Sequence, residues 1–147
     1  MTLFIRDIAP EDETLWRKLW AEYLAFYAVT LAPEVTDQTW ARLVDPQAVL
    51  RGRVAVLDGA VMGFALHHHH MSTWAAAPDC YLEDLFLTDA ARGHGIGRAL
   101  MDDLIKICHE NGYSRLYWHT DEGNARARKL YDSYTAYDGH VRYRIKL

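Results

Sequence analysis

Arg92-Gly93-His94-Gly95-Ile96-Gly97 decides how the rest of this chain is read. The stretch follows an apolar run and opens a helix. Glycines at every second position remove the Cβ atoms that would hold an anion off the main chain. The helix behind them adds unpaired N–H donors and the positive end of its dipole. The stretch points to a phosphorylated ligand, against the plainer alternative of a glycine-rich turn that lets strand and helix pack closely. No Gly-Lys-Ser/Thr follows, which speaks against a P-loop for ATP hydrolysis, and the spacing is not the Gly-x-Gly-x-x-Gly of a dinucleotide site.

Outward from this turn, the pattern predicts a strand over Cys80 to Leu87 before it and a helix from Ile96 to Asn111 after it. Gly112 would end that helix. Upstream, Leu3 to Ile8 and Arg53 to Leu57 read as strands, and Asp58-Gly59 is a hairpin turn into a partner strand over Val61 to His70. Pro10-Glu11-Asp12-Glu13 opens a first helix, and Thr36 to Val44 suggests a second. Downstream come a strand at Arg115 to His119, a helix from Asp121 to Tyr134 capped by Asp121 or Asn124, and a last alternating strand at Val141 to Ile145. The expectation is an α+β fold in layers: one domain over residues 1–147, with a mixed, mostly antiparallel sheet and helices on its faces.

The chain has 147 residues, 16 basic against 20 acidic, for a net charge of −4. That balance disfavours a nucleic-acid partner and leaves room for a cationic substrate, though charge alone decides neither. The hydrophobic fraction of 50% is that of a folded globule. Cys80 and Cys108 read as buried thiols rather than a disulfide framework. The N-terminal residues lack the pattern of a signal peptide, and no run approaches the ~18 apolar residues of a membrane span. A cytoplasmic protein without a membrane partner is therefore expected.

Three constellations could carry chemistry. In Tyr81-Leu82-Glu83-Asp84-Leu85-Phe86-Leu87, strict alternation puts Tyr81, Glu83, Leu85 and Leu87 on one face and Leu82, Asp84 and Phe86 on the other. Two acids in an apolar strand need a partner, a function or an exposed edge. Asn124 and Tyr131 share a helix face two turns apart, as ligand contacts or as a cap and a core residue. His67 to His70 form two strand pairs, either of which could clasp a metal; without an acidic or cysteine partner at ligand spacing, cleft lining and packing are favoured. Trp16, Trp20, Tyr23 and Tyr27 make an aromatic stripe that serves the core or walls an acceptor pocket, with Glu22 beside it.

Arg92-x-x-Gly95-x-Gly97 after Leu85-Phe86-Leu87, followed by Asn124-x-x-Ala127-x-x-Leu130-Tyr131, resembles the GNAT superfamily of acetyl-CoA-dependent N-acetyltransferases. Gly63-Phe64-Ala65-Leu66, Ser72-Thr73-Trp74 and Tyr81-Leu82-Glu83-Asp84-Leu85 are similar to its diamine (spermidine/spermine and thialysine) branch.

The resemblance implies acetyl-CoA as co-substrate, no metal, and a small-molecule amine as partner, and members of the family often form homodimers. It implies that Leu85, Phe86 and Leu87 meet the pantetheine arm and that Arg92, Gly93, His94, Gly95, Ile96, Gly97 and Arg98 meet the diphosphate. Asn124 would contact the cofactor as well, and Tyr131 would lie by the thioester sulfur. Glu83, Asp84 and Tyr27 would face the acceptor. A protonated amine has a pKa of ~10.4 and attacks only when neutral, so Glu83 would accept its proton and Tyr131 would protonate the leaving thiolate. The N–H of Leu85 would serve the oxyanion.

The expected activity is direct acetyl transfer to the primary amine of a polyamine or diamino-acid acceptor. Acetylation of a protein, peptide or aminoglycoside amine is the alternative, and a non-catalytic CoA-binding module is another. The chain departs from the family pattern after Tyr131, where Asp132 to Asp138 replaces the usual glycine turn; Tyr134 or Tyr137 then competes for the acid role.

Overall fold

The computed structural model describes residues 2–147. Its sheet runs in chain order, β1 (Leu3–Asp7), β2 (Arg51–Leu57), β3 (Ala60–His70), β4 (Asp79–Leu87) and β5 (Leu116–Trp118). The first three pairings are antiparallel and the last, β4 with β5, is parallel. The helices are α1 (Glu13–Phe26), α2 (Pro33–Leu43), α3 (Ile96–Asn111) and α4 (Ala125–Asp132). The α+β architecture is the one the sequence predicts.

Each element follows from its residues. Asp58 and Gly59 take φ of 49° and 83°, the pair of positive values a tight two-residue hairpin needs between β2 and β3. Gly95 and Gly112 bracket α3, both left-handed at φ 73° and 68°. On one sheet face, Trp16, Leu19 and Trp20 of α1 and Trp40 and Leu43 of α2 bury against Val54, Val56, Val61, Phe64 and Leu66. On the other, Ile96, Leu100, Met101, Leu104 and Cys108 of α3 cover Ala55, Leu57, Ala65, Cys80 and Leu82. Arg53 ties strands to helix: Nε and Nη2 each donate to Asp103 at 2.8 Å, and Nη1 donates to Asp7 at 2.7 Å.

Three local expectations are corrected. The last helix is shorter than Asp121 to Tyr134, because Asn124 caps it by accepting the Ala127 N–H at 3.2 Å. Val141 to Ile145 is not a strand; the chain is irregular and exposed from residue 135 to the end. Finally, β4 does not alternate uniformly. Leu66 pairs with Asp84 and His67 with Leu82, so Glu83 is an extra residue, a β-bulge. Beyond it the faces exchange, and Leu82, Leu85 and Leu87 all point toward the α3 side. A single inserted residue reverses the period-two assignment for half the strand.

Candidate active site

The bulge and the short β5 together open a slot in the sheet. Before the bulge, the N–H of Cys80 donates across to the Arg115 carbonyl of the incoming β5 chain at 2.8 Å. After it, the N–H of Thr88 donates the opposite way, to Met62 on β3 at 3.0 Å. Alternation back from Thr88 aims the N–H and C=O groups of Leu85 and Leu87 away from β3. There β5 no longer follows, since its pairing with β4 covers only Cys80 to Leu82. These backbone groups are therefore free to receive an extended ligand as an added strand would be received.

A cleft of about 470 Å³ fills the gap between the splayed strands. Glu83, Leu85, Phe86 and Leu87 form one wall; Asn124, Ala127 and Tyr131 of α4 form the opposite one. The turn after β4 closes one end with Arg92, Gly93, Gly95, Ile96, Gly97 and Arg98. Gly97 is needed for closeness, because a Cβ there would lie 3.2 Å from Leu130 Cδ2. Arg92 and Arg98 supply positive charge at this end, Arg126 of α4 adds a further cation to the lining, and the Glu83 carboxylate supplies negative charge on the β4 wall. The floor is apolar, from Leu82, Ile96 and Leu130. An elongated apolar slot with a cationic, glycine-lined mouth fits a diphosphate joined to an extended amide chain.

Most sequence-predicted site residues converge here, Tyr27 among them. Two do not. His94 is exposed and outside the cleft lining. Asp84 turns to the α1 side, where it accepts the Tyr23 hydroxyl at 2.6 Å. Burial, and to a smaller degree the neighbouring Glu83 charge, pushes its carboxyl up to about 6 against the opposing Tyr23 hydrogen bond. Burial likewise pushes the Tyr131 phenol up to about 12, with Tyr27 adding a little. Tyr131 thus stays protonated across the neutral range. Tyr134, a rival for the acid role, points elsewhere, with its hydroxyl donating to Asp102 at 2.5 Å. Tyr137 is 65% exposed and outside the cleft.

The aromatic stripe divides along its length. Trp16 and Trp20 stack at 5.2 Å in the core, whereas Tyr23 and Tyr27 reach the cleft. Neither histidine pair lines it, contrary to the expected cleft-lining role. His67 is buried beside Cys80, and burial, reinforced by Arg53, pushes its imidazole down to about 4. His69 stacks on Tyr113, while His70 Nε2 lies 2.6 Å from the Tyr117 hydroxyl. His68 meets Glu83 at 3.9 Å. Among the described residues, no three His, Cys, Asp or Glu side chains gather as a metal site.

The sequence reading missed Trp118, His119 and Thr120 at the end of β5, Phe26 of α1, and Arg126 of α4. Trp118, His119 and Thr120 carry one sequence signal, their place at the end of a short strand that stops where its neighbour continues; Phe26 and Arg126 carry none.

Comparison with known proteins agrees with this geometry. The model of the Acetyltransferase (GNAT) family matches residues 13–135. A D-amino-acid N-acetyltransferase of Saccharomyces cerevisiae is 37% identical over 88% of this chain and 81% of its own length. A thialysine N-epsilon-acetyltransferase of Bos taurus is 32% identical over 53% of this chain and 45% of its own. Among solved structures, a ribosomal-protein-alanine N-acetyltransferase from Brucella melitensis biovar Abortus superposes with a TM-score of 0.84. It is 21% identical, covering 99% of this chain and 100% of that one. AAC(6')-Iy in complex with the bisubstrate analog CoA-S-monomethyl-acetylneamine gives a TM-score of 0.85 at 16% identity, over 100% of this chain and 99% of that one.

Proposed function

This chain belongs to the Acetyltransferase (GNAT) family and is an acetyl-CoA-dependent N-acetyltransferase, and we propose that it acetylates the primary amine of a small cationic acceptor of the polyamine or diamino-acid type. One observation carries the reading: the unpaired β4 edge at Leu85 opens into a slot that Glu83 and Tyr131 line together. The relative named for the ε-nitrogen of thialysine supports a diamino-acid acceptor, and the one named for D-amino acids supports only an amino-acid amine. Both names specify an amine carried by an amino acid.

The residues divide the work. Acetyl-CoA supplies an activated acyl carbon on a thioester. The N–H groups of Leu85 and Leu87 bind and align the extended arm, and the glycine loop with Arg92 and Arg98 neutralises the diphosphate. Leu85 N–H faces the place where oxyanion charge develops, a preorganised donor in a partly dry slot. Glu83 accepts the ammonium proton directly or through water, its half-exposed carboxylate keeping it in contact with solvent. Tyr131 holds a proton that the departing sulfur can take. No covalent acyl-protein is needed, and the buried Cys80 and Cys108 stand outside the cleft.

A mass-spectrometric screen of polyamines, diamino acids, D- and L-amino acids, peptides and aminoglycosides with acetyl-CoA tests the acceptor. Acetylation of the diamino compounds at the highest kcat/KM is expected. Preference for peptides or aminoglycosides would contradict the assignment.

A further inference from the structure

Asp121-Glu122-Gly123-Asn124-Ala125-Arg126 leads from β5 into α4 and carries two charges with no partner of their own. Asp121 and Arg126 are exposed, and among the described residues neither forms an ion pair. Arg128, two residues on, is engaged, donating to the Glu122 carbonyl at 2.9 Å. Arg126 also sits in the first turn of α4, where the helix dipole is already positive. Its charge does not serve the helix.

Both residues line a second hollow, of about 550 Å³, beside the acetyl-CoA slot. The end of α1 forms its other wall with Phe26 and Tyr27, whose rings meet edge-on at 5.0 Å. Helix α1 stops there in a left-handed turn. The Val29 N–H donates to the Leu24 carbonyl at 2.9 Å, and the Ala28 N–H donates to Ala25 at 3.1 Å. Ala28 takes φ 53° in this turn, a region that costs a residue with a Cβ about 1–2 kcal/mol. Strain of this kind marks a wall whose position matters.

The hollow joins the slot, since Phe26, Tyr27, Asn124 and Arg126 line both. It joins at the reacting end, because no residue of the diphosphate turn lines it. Tyr27 makes the link: burial pushes its phenol up, helped by the nearby charges of Asp121 and then Asp84. Tyr27 in turn acts on the Tyr131 phenol.

We propose that Arg126 and Asp121 recognise the head group of an amino acid, Arg126 its α-carboxylate and Asp121 its α-ammonium, while its side-chain amine reaches Glu83. This assignment, which rests on the chain acetylating small amines, narrows the acceptor to a diamino acid. A guanidinium takes a carboxylate through paired N–H donors. A polyamine would bring positive charge against Arg126 instead, a repulsion that selects against it. Phe26 and Tyr27 cover the methylenes, and their ring faces suit an ammonium group.

Steady-state kinetics with matched acceptors tests this. Lysine and cadaverine differ by one carboxylate, as ornithine and putrescine do. The unaltered chain should show a kcat/KM about tenfold higher for each amino acid, the factor that one charge-assisted hydrogen bond carries. Arg126→Gln should erase that preference through KM. Asp121→Asn should instead erase the preference for lysine over ε-aminocaproate, which lacks only the α-amine. Calorimetry with acetyl-CoA shows that both variants are folded and separates the two ligands. An acetyl-CoA affinity weakened about tenfold by Arg126→Gln would put the guanidinium on a cofactor phosphate and overturn the assignment. A carboxylate preference that survives Arg126→Gln would do the same. So would equal kcat/KM for lysine and cadaverine, an outcome that leaves acetylation of small amines intact. Acetylation of none of these compounds would remove that wider reading as well.

Discussion

Tyr131 keeps its proton because burial pushes its phenol up to about 12, and it faces the cleft with Glu83. If it protonates the leaving thiolate, Tyr131→Phe should lower kcat about 10²-fold and leave acetyl-CoA affinity almost unchanged. Steady-state kinetics alongside calorimetry checks both halves; unaltered turnover would remove Tyr131 from the acid role. Glu83→Gln should also slow turnover about 10²-fold near pH 7, and the deficit should shrink as pH approaches ~10.4, where the acceptor amine loses its proton unaided. A pH-independent deficit would mean that Glu83 positions the acceptor rather than deprotonating it. The cleft position of Tyr131 was legible in the sequence through its spacing from Asn124, and that of Glu83 through the family resemblance. Asp84 was misplaced, because its orientation depends on a bulge that one strand's sequence does not announce.

At the scale of elements, the site exists because β4 and β5 part after Leu82. Gly63 on β3 holds β4 close at the far end of that slot, opposite Leu87. A Cβ there would lie 2.8 Å from the Phe86 carbonyl oxygen and 3.2 Å from Leu87 Cβ. The first of these is backbone and cannot swing aside. Gly63→Ala should therefore destabilise the fold by about 1–3 kcal/mol, read by urea unfolding, and should weaken acetyl-CoA binding by shifting the strand that receives it. Full stability would show that β3 and β4 have slack. Helix α3 was readable to the residue, since left-handed glycines and an apolar stripe mark both its ends and its buried face. The C-terminal strand was readable as propensity only. Alternation states what a segment can pair with, and pairing itself needs an available edge.

Across the whole molecule, two buried titrating groups bias stability in opposite directions. Asp84 has a folded value of about 6 against 3.8 for the free side chain. The fold thus carries a buried carboxylate at a cost above pH 6, and that cost disappears as pH falls from 6 to 4. His67 has a folded value of about 4 against 6.5. The unfolded chain takes up a proton below pH 6.5 that the fold refuses, so stability falls from there toward pH 4. Asp84→Asn, whose amide oxygen still accepts the Tyr23 hydroxyl, should stabilise the protein by about 2–3 kcal/mol at pH 8. Its advantage should vanish near pH 4, exposing the loss due to His67. Urea unfolding of both proteins from pH 4 to 8 reads the difference. A constant offset would show that Asp84 does not titrate in this window.

The central claim is that the free edge of β4 and the glycine loop after it receive acetyl-CoA. Amide hydrogen exchange resolved by residue, with and without saturating acetyl-CoA, tests this most directly. Slowed exchange concentrated at Leu85, Leu87 and Gly93 to Arg98 is the predicted result. Binding that leaves those amides unchanged, or protects another surface instead, would contradict it.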